Sequence, residues 1–424
     1  MRERRGFAAQ NGAAALAITV LLFFALLLAV TALDRSHVFE HRASVNQYRA
    51  TQAFEAAESG IEWAVARLDD GRPIDADCIP TAAAGAPSFR ERHLDWDAAS
   101  GRIVPHTWPD AGTATALRSS CVRAVDGWSC SCPIGGRPAL QTPDTGSAPA
   151  FTVEFAPAAQ AGIVRVVAIG CTSLGGACAD GAGSTDAVAR VEAILGLLPA
   201  VRSTPAAPLT VRGAIDADLA PFGAHNGDPG SGLALHAGGA VRAGAARLDG
   251  PAGVPASDVV VAGDARLAMQ TADKFFTGMF GLDPATWSQL PVVRHVACPS
   301  IGDCNDALRA ALAVDRGQPI VRVDGDLTLG GPLEIGTTAR PALVVARGAV
   351  RLHGAVQVVG LLHGASLDWR AEPGGEGLVR GALTCEGDYR GDAAPDLVYD
   401  TAALIGLRGW SGSFVRLPGS WKDF

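Results

Sequence analysis

From Ala13 to Leu33 the chain runs 21 residues without a charge, AAALAITVLLFFALLLAVTAL. At about 1.5 Å per residue such a helix is about 32 Å long, enough to cross a bilayer once. The leader before it, MRERRGFAAQNG, carries Arg2, Arg4 and Arg5 against Glu3, and Asp34 follows the run at once. The positive-inside bias therefore keeps residues 1–12 in the cytoplasm and exports the chain beyond residue 33. A secretory signal peptide would have an apolar core of about 7–15 residues and a small-residue cleavage site. This run is longer, and helix-compatible sequence continues beyond it.

Between Asp34 and Leu68 there is no proline, and Gly60 is the only glycine. Apolar residues recur at Val38, Val45, Tyr48, Phe54, Ala57, Ile61, Val65 and Leu68, the spacing of one helical face. A single helix is expected, membrane-spanning over residues 13–33 and amphipathic over 34–68. Asp69-Asp70-Gly71-Arg72-Pro73 ends it, since glycine and proline stop helices.

The stretches QNGAAALAITVLLFF and SHVFEHRASVNQYRATQAFEAAESGIEWAVARL resemble the N-terminal region of PilX-type proteins of type IV pilus assembly. That family shows a short basic leader ending in Gly, an apolar helix, an acidic residue further on, and a segment like AFQAAEAGL. The matching positions are Gly12, the run from Ala13, Glu40, and Ala53 to Ile61, which includes Phe54, Glu55 and Glu58. The resemblance implies cleavage by prepilin peptidase between Gly12 and Ala13, then extraction into a fibre by an inner-membrane assembly platform. It implies other pilin or minor pilin subunits as partners.

Major pilins carry Glu at the fifth mature position, where this chain has Ala17. A buried carboxylate without a partner is costly, so Ala17 leaves the helix easy to hold in the membrane but removes the usual assembly contact. PilX-like minor subunits often lack it too, which points to a priming-complex or tip component rather than a major pilin.

The exported part divides by texture. Residues 69–199 read as a pilin-like globular domain: Phe151–Phe155, Ile163–Ile169 and Ala187–Leu195 are strand-like runs suited to an antiparallel meander under the helix. The preceding segment from Gly71 is irregular and has no assignable fold. Residues 198–208 are proline-rich and form the linker. Over 200–424, short runs such as Ile320-Val-Arg-Val-Asp-Gly325 and Ala342-Leu-Val-Val-Ala-Arg-Gly348 turn at glycine every few residues. They suit a β-solenoid, with a β-sandwich or other all-β domain as the alternative. A block near 271–314 has helical character and is expected to project from it. The fold class is thus α+β: a long pilin-like helix packed on an antiparallel β domain, then a glycine-rich β domain.

Nine cysteines lie beyond the membrane run, where export permits disulfides. Cys171 with Cys178, and Cys298 with Cys304, would each close a small loop. Cys78, Cys121, Cys130 and Cys132 supply two more bridges of open pairing, leaving Cys385 over. Zinc is the competing use, but Cys130-x-Cys132 has no second close pair and no nearby His.

Motifs for chemistry are weak. His37-Val-Phe-Glu40-His41 matches an H-x-x-E-H zinc-peptidase pattern, yet it sits just past the membrane run on a helix expected to pack in a fibre. Residues 224–232 and 181–186 are rich in Asp and Gly but lack calcium-ligand spacing. Glu334, Asp368, Glu372, Glu376 and Glu386 are too scattered to name a glycosidase pair. Trp369, Trp410 and Trp421 could form a sugar-binding patch or simply pack. Only two of the 35 basic residues are lysines, Lys274 and Lys422, and none clusters outside the leader; with a net charge of −8, nucleic acid is not an expected partner. No catalytic residues, cofactor or metal are expected. Together with the resemblance, the residues lead to the expectation of a minor pilin-like, non-enzymatic subunit, single-pass in the inner membrane with a periplasmic body and then carried to a pilus or cell surface. Its distal β domain would be exposed at a tip for adhesion. A membrane-anchored, non-polymerising adhesin or glycan-binding β-helix protein is the alternative.

Overall fold

The computed structural model describes residues 11–423 apart from 111, 141–147, 174–177, 179–186, 300–301 and 315–318. Helix α1 spans Asn11–Leu68, 58 residues or about 87 Å. Its segment Ala14–Thr31 is long and apolar enough to cross a membrane, and none of it is buried against the body. Packing begins only at Ala53. Ala53, Ala56, Ala57, Gly60, Ile61, Ala64 and Leu68 form the buried face, while Val38 and Tyr48, expected on that face, are 50% and 67% exposed. The amphipathic expectation for 34–68 therefore applies only to its second half, from Ala53 onward.

That face lies on an antiparallel sheet, reached through the stretch after Gly71 for which the sequence offers no assignment. Here Ser88 caps the short helix α2, Phe89–His93, in a reciprocal capping box with Glu91. Two hairpins come next: β1 (Leu94–Asp97) with β2 (Arg102–Pro105), and β3 (Thr107–Asp110) with β4 (Thr113–Ala116). Then come β5 (Arg118–Ala124), β6 (Gly127–Ser131), β7 (Ala150–Pro157), β8 (Ile163–Cys171) and β9 (Val188–Pro199), which pair in the order β9-β8-β7-β5-β6. The inward residues Phe151, Val153, Phe155, Val164, Val166, Val191 and Leu195 close on Ile61, Leu68 and Phe89. Alternating side chains with one covered face are what such strands require.

Beyond β9 the chain winds in three-strand layers whose ladders are all parallel. The first two layers are β10 (Leu209–Val211), β11 (Ile215–Asp216), β12 (Gly223–His225), and β13 (Leu235–Ala237), β14 (Val241–Arg242), β15 (Arg247–Asp249), with β16 (Val260–Val261) starting a third. After a helical passage come β17 (Arg294–Val296), then β18 (Ile320–Val323), β19 (Leu327–Gly330), β20 (Leu333–Ile335), β21 (Ala342–Ala346) and β22 (Ala349–His353). The last layers comprise β23 (Val356–Gly364), β24 (Ser366–Arg370), β25 (Leu378–Cys385), β26 (Tyr389–Gly391) and β27 (Asp396–Val398).

The layers do not stack in chain order. Along one face the sequence is β17, β18, β21, β23, β25, β10, β13, β16. A column of in-register residues runs through it: Val321, Val344, Leu362, Leu383, Leu209, Leu235, Val260. The chain thus enters mid-stack, winds out to one end, crosses to the other end and winds back. β23 and β25 each serve two faces, bending at Gly360 and Gly381, whose φ values are +133° and +129°. A Cβ on Gly381 would lie 1.9 Å from the Gly360 carbonyl oxygen, so the corner requires glycine.

The block expected to project does not. Helices Ala272–Phe280 and Pro284–Ser288 lie flat on the outer side of this face, burying Phe275, Phe276, Met279, Phe280 and Trp287 against Leu343, Val345, Leu361 and Ala382. Those strand residues have outward side chains that are themselves apolar and need a cover. Helix Asn305–Val314 instead caps the β17 end through Leu308 and Ala311. The last strands differ from one continuous 200–424 domain as well: after helix Thr401–Trp410, β28 (Gly412–Arg416) and β29 (Lys422–Asp423) return to pair with β9. The parallel layers are an insertion between two neighbouring strands of the antiparallel sheet.

Candidate assembly helix and its junction

Gly12 is exposed in the first turn of α1; Ala13 lies in the same turn, and residues 1–10 of the leader fall outside the described residues. Leu33 is exposed near the end of the apolar segment. Glu40 stands on the bare part of the helix with its carboxylate 3.9 Å from His37 Nδ1, both side chains more than three-quarters exposed. Among the described residues no group of three or more His, Cys, Asp or Glu is placed to hold a metal, so the H-x-x-E-H pattern here presents an open helix surface.

Where α1 meets the body, Glu55 and Glu58 face solvent and Glu62 reaches Arg416 of β28 at 3.1 Å. Phe54 is covered edge-on by Trp421, ring centroids 5.8 Å apart. The returning strands therefore grip one flank of the helix. At its end sits an ion pair that no sequence motif announces, Asp69 with Arg90 at 3.3 Å, both side chains nearly inaccessible. Asp69 Oδ1 also accepts the Phe414 N–H at 2.7 Å. Arg90 donates to the carbonyls of Leu68 (2.8 Å), Trp410 (3.1 Å) and Gly412 (2.8 Å), and lies over the Phe414 ring. One guanidinium thus satisfies the helix C-terminus and the strand re-entering the sheet. Burial pushes the Asp69 carboxyl up to about 6, against the opposing pull of Phe414 N–H and Arg90. Nearby His93 is buried, bonded through Nε2 to Ser119 Oγ at 2.8 Å, and burial holds it down at about 3.

Disulfides join Cys78–Cys132, Cys121–Cys130, Cys171–Cys178 and Cys298–Cys304. Cys121 and Cys130 are cross-strand partners of β5 and β6. Cys385 is a buried free thiol inside β25, and burial raises it to about 12, which keeps it protonated and unreactive.

The three tryptophans do not share a patch. Trp369 is buried among the parallel layers, Trp410 lies at the junction beside Phe414, and Trp421 lies on Phe54. The carboxylates are spread likewise: Asp368 pairs with Arg370 (2.7 Å), Glu372 with His353 (2.9 Å) and Glu386 with His363 (3.4 Å), while Glu334 and Glu376 are exposed. The 224–232 segment ends β12 and then turns, Asn226 Nδ2 donating to Leu233 O and Asp228 taking the Ser231 N–H. The 181–186 segment lies outside the described residues.

No protein-family profile matches the chain, and no curated protein matches it. Among solved structures it is similar to the competence-associated pilin ComZ from Thermus thermophilus, at 12% identity over 89% of this chain and 97% of that one, with a TM-score of 0.23. At that score the likeness carries no argument about this chain.

Proposed function

We propose that this protein is a membrane-anchored, pilin-like subunit. The observation that carries the reading is α1 itself: one unbroken helix whose first half is bare and membrane-length and whose last turns are locked to an antiparallel sheet. Such an element can pass from a bilayer into a bundle of like helices without refolding, since its apolar half needs only a change of neighbours. The finer reading is a PilX-like minor subunit, processed between Gly12 and Ala13 by prepilin peptidase and handled by an inner-membrane platform. It acts by helix insertion and surface contact, not catalysis. Its inserted layers form a β-solenoid too bulky for a shaft, placed at a tip and available for adhesion.

Ala17, which lacks the assembly carboxylate, favours a second reading in which the anchored protein never polymerises. N-terminal sequencing of protein from envelopes with and without active prepilin peptidase separates the two. A new terminus at Ala13 only with the peptidase supports the pilin pathway; an uncut leader in both overturns it.

A further inference from the structure

The two ends of the parallel stack are finished differently. At the β17 end, helix Asn305–Val314 covers the core. At the other end the β13–β15 layer and β16 beyond it leave Val241, Ala243, Ala246, Leu248 and Val260 only partly buried, and β15 is the last strand of its ladder. Arg247 N–H donates to Phe222 O and Asp249 O accepts from Asn226 N–H, both at 2.9 Å. Residues 247 and 249 therefore spend these backbone groups on the stack, and by strand alternation the N–H and C=O of Leu248 face away from it. Unpaired edges of this kind recruit another strand unless something blocks them.

The side chains select the strand. β15 reads Arg247-Leu248-Asp249: Leu248 is turned toward the core, while Arg247 and Asp249, each held at 2.7 Å by a neighbour on the adjoining strands, Asp396 and His225, keep more than half of their side chains exposed. We propose that this edge docks a second copy of the same chain, β15 against β15, antiparallel about a two-fold axis at Leu248. In that register Leu248 faces its own copy as the hydrogen-bonded pair, and Arg247 of each chain stands opposite Asp249 of the other, within the separation at which cross-strand charges attract. An in-register parallel pairing would set like charges together. The neighbouring edges β14 and β16 have two residues each and offer no such pattern. The dimer also closes the half-exposed end of the core. It is independent of α1, so it goes beyond the pilin reading.

The test uses the full chain in mild detergent. Leu248→Cys should give a disulfide-linked dimer on oxidation, with Ile134→Cys, an exposed site on the other sheet region, as the control that does not. Arg247→Asp and Asp249→Arg should each weaken dimerisation roughly tenfold, by replacing two attractive pairs with two repulsive ones. The double reversal, which restores opposite charges across the two-fold but not the pairs with Asp396 and His225, should bind more tightly than either single reversal. A monomer by light scattering, linkage at 248 no greater than at 134, or association untouched by both single reversals would overturn the proposal. The last of these is the signature of contact through α1.

Discussion

Gly170 of β8 lies directly beneath Ala53 of α1: a Cβ at Gly170 would stand 2.0 Å from the Ala53 carbonyl oxygen and 2.3 Å from the Ala57 nitrogen. No side chain can move to relieve that, because both atoms are helix backbone. The alanines and Gly60 of the AFEAAESGI segment are therefore the small-residue half of a helix–sheet contact completed by Gly170. Gly170→Ala should destabilise the folded body by about 2–3 kcal/mol, the usual scale of overpacking, and Gly170→Val by more. Thermal unfolding in detergent checks this; an unchanged Tm for Gly170→Val would show that α1 does not sit so close.

Arg90→Met should be more damaging than loss of an ordinary surface arginine. It leaves the Asp69 carboxylate buried without its cation and strands the carbonyls of Leu68 and Gly412. The expected cost is about 3–5 kcal/mol. Arg90→Met with Asp69→Leu should recover part of it, because no isolated charge remains. Chemical denaturation of the three variants measures the coupling.

This junction shows why part of the fold could be read locally and part could not. The stop of α1 is written in adjacent residues, Asp69 to Pro73, and the strand runs near 151, 163 and 188 carry their own alternation. Arg90 carries no signal at all, since two of its acceptors lie more than 300 residues away. The same limit applies to the parallel layers. Glycine-broken runs mark where strands turn, but that Leu209 stacks on Leu383 depends on the chain entering its stack in the middle. Trp369 and Trp410 similarly look alike in sequence, and only the packing separates a core residue from a junction residue.

The four disulfides should not contribute equally. In the chain-entropy view, stabilisation grows with the loop closed, and Cys78–Cys132 closes 54 residues where the other three close 9, 7 and 6. Removing it by paired Ser substitution should cost about 4 kcal/mol, and removing any of the others about 2–3 kcal/mol. It also ties the stretch after α1 to the end of β6, so its loss should expose α2 to proteolysis first. Equal Tm losses for all four pairs would contradict the ranking.

Between pH 4 and 6.5 the stability of the body should be governed by two buried groups acting in opposition. His93 is held at about 3 by burial, below its ordinary 6.5, so the unfolded chain takes the proton first; its contribution is complete above pH 6.5 and lost as pH falls toward 3. Asp69 is raised to about 6 from 3.8, so the folded chain takes the proton first; its contribution is complete below pH 3.8 and lost as pH rises through 6. Each slope approaches about 1.4 kcal/mol per pH unit, and across pH 4–6 they cancel. The carboxyls held below their ordinary value, Asp70 and Asp326 among them, withdraw stability only beneath about pH 3.8, and His353, raised by its carboxylate neighbours, acts above 6.5. The wild-type curve should therefore be flat from pH 6 to 4 and fall below it. Asp69→Asn should unmask a loss beginning near pH 6.5, and His93→Gln should make the protein gain stability on acidification from pH 7 to 4. Denaturant midpoints measured across that range decide it, and parallel curves for all three proteins would mean that folding shifts the pKa of neither group.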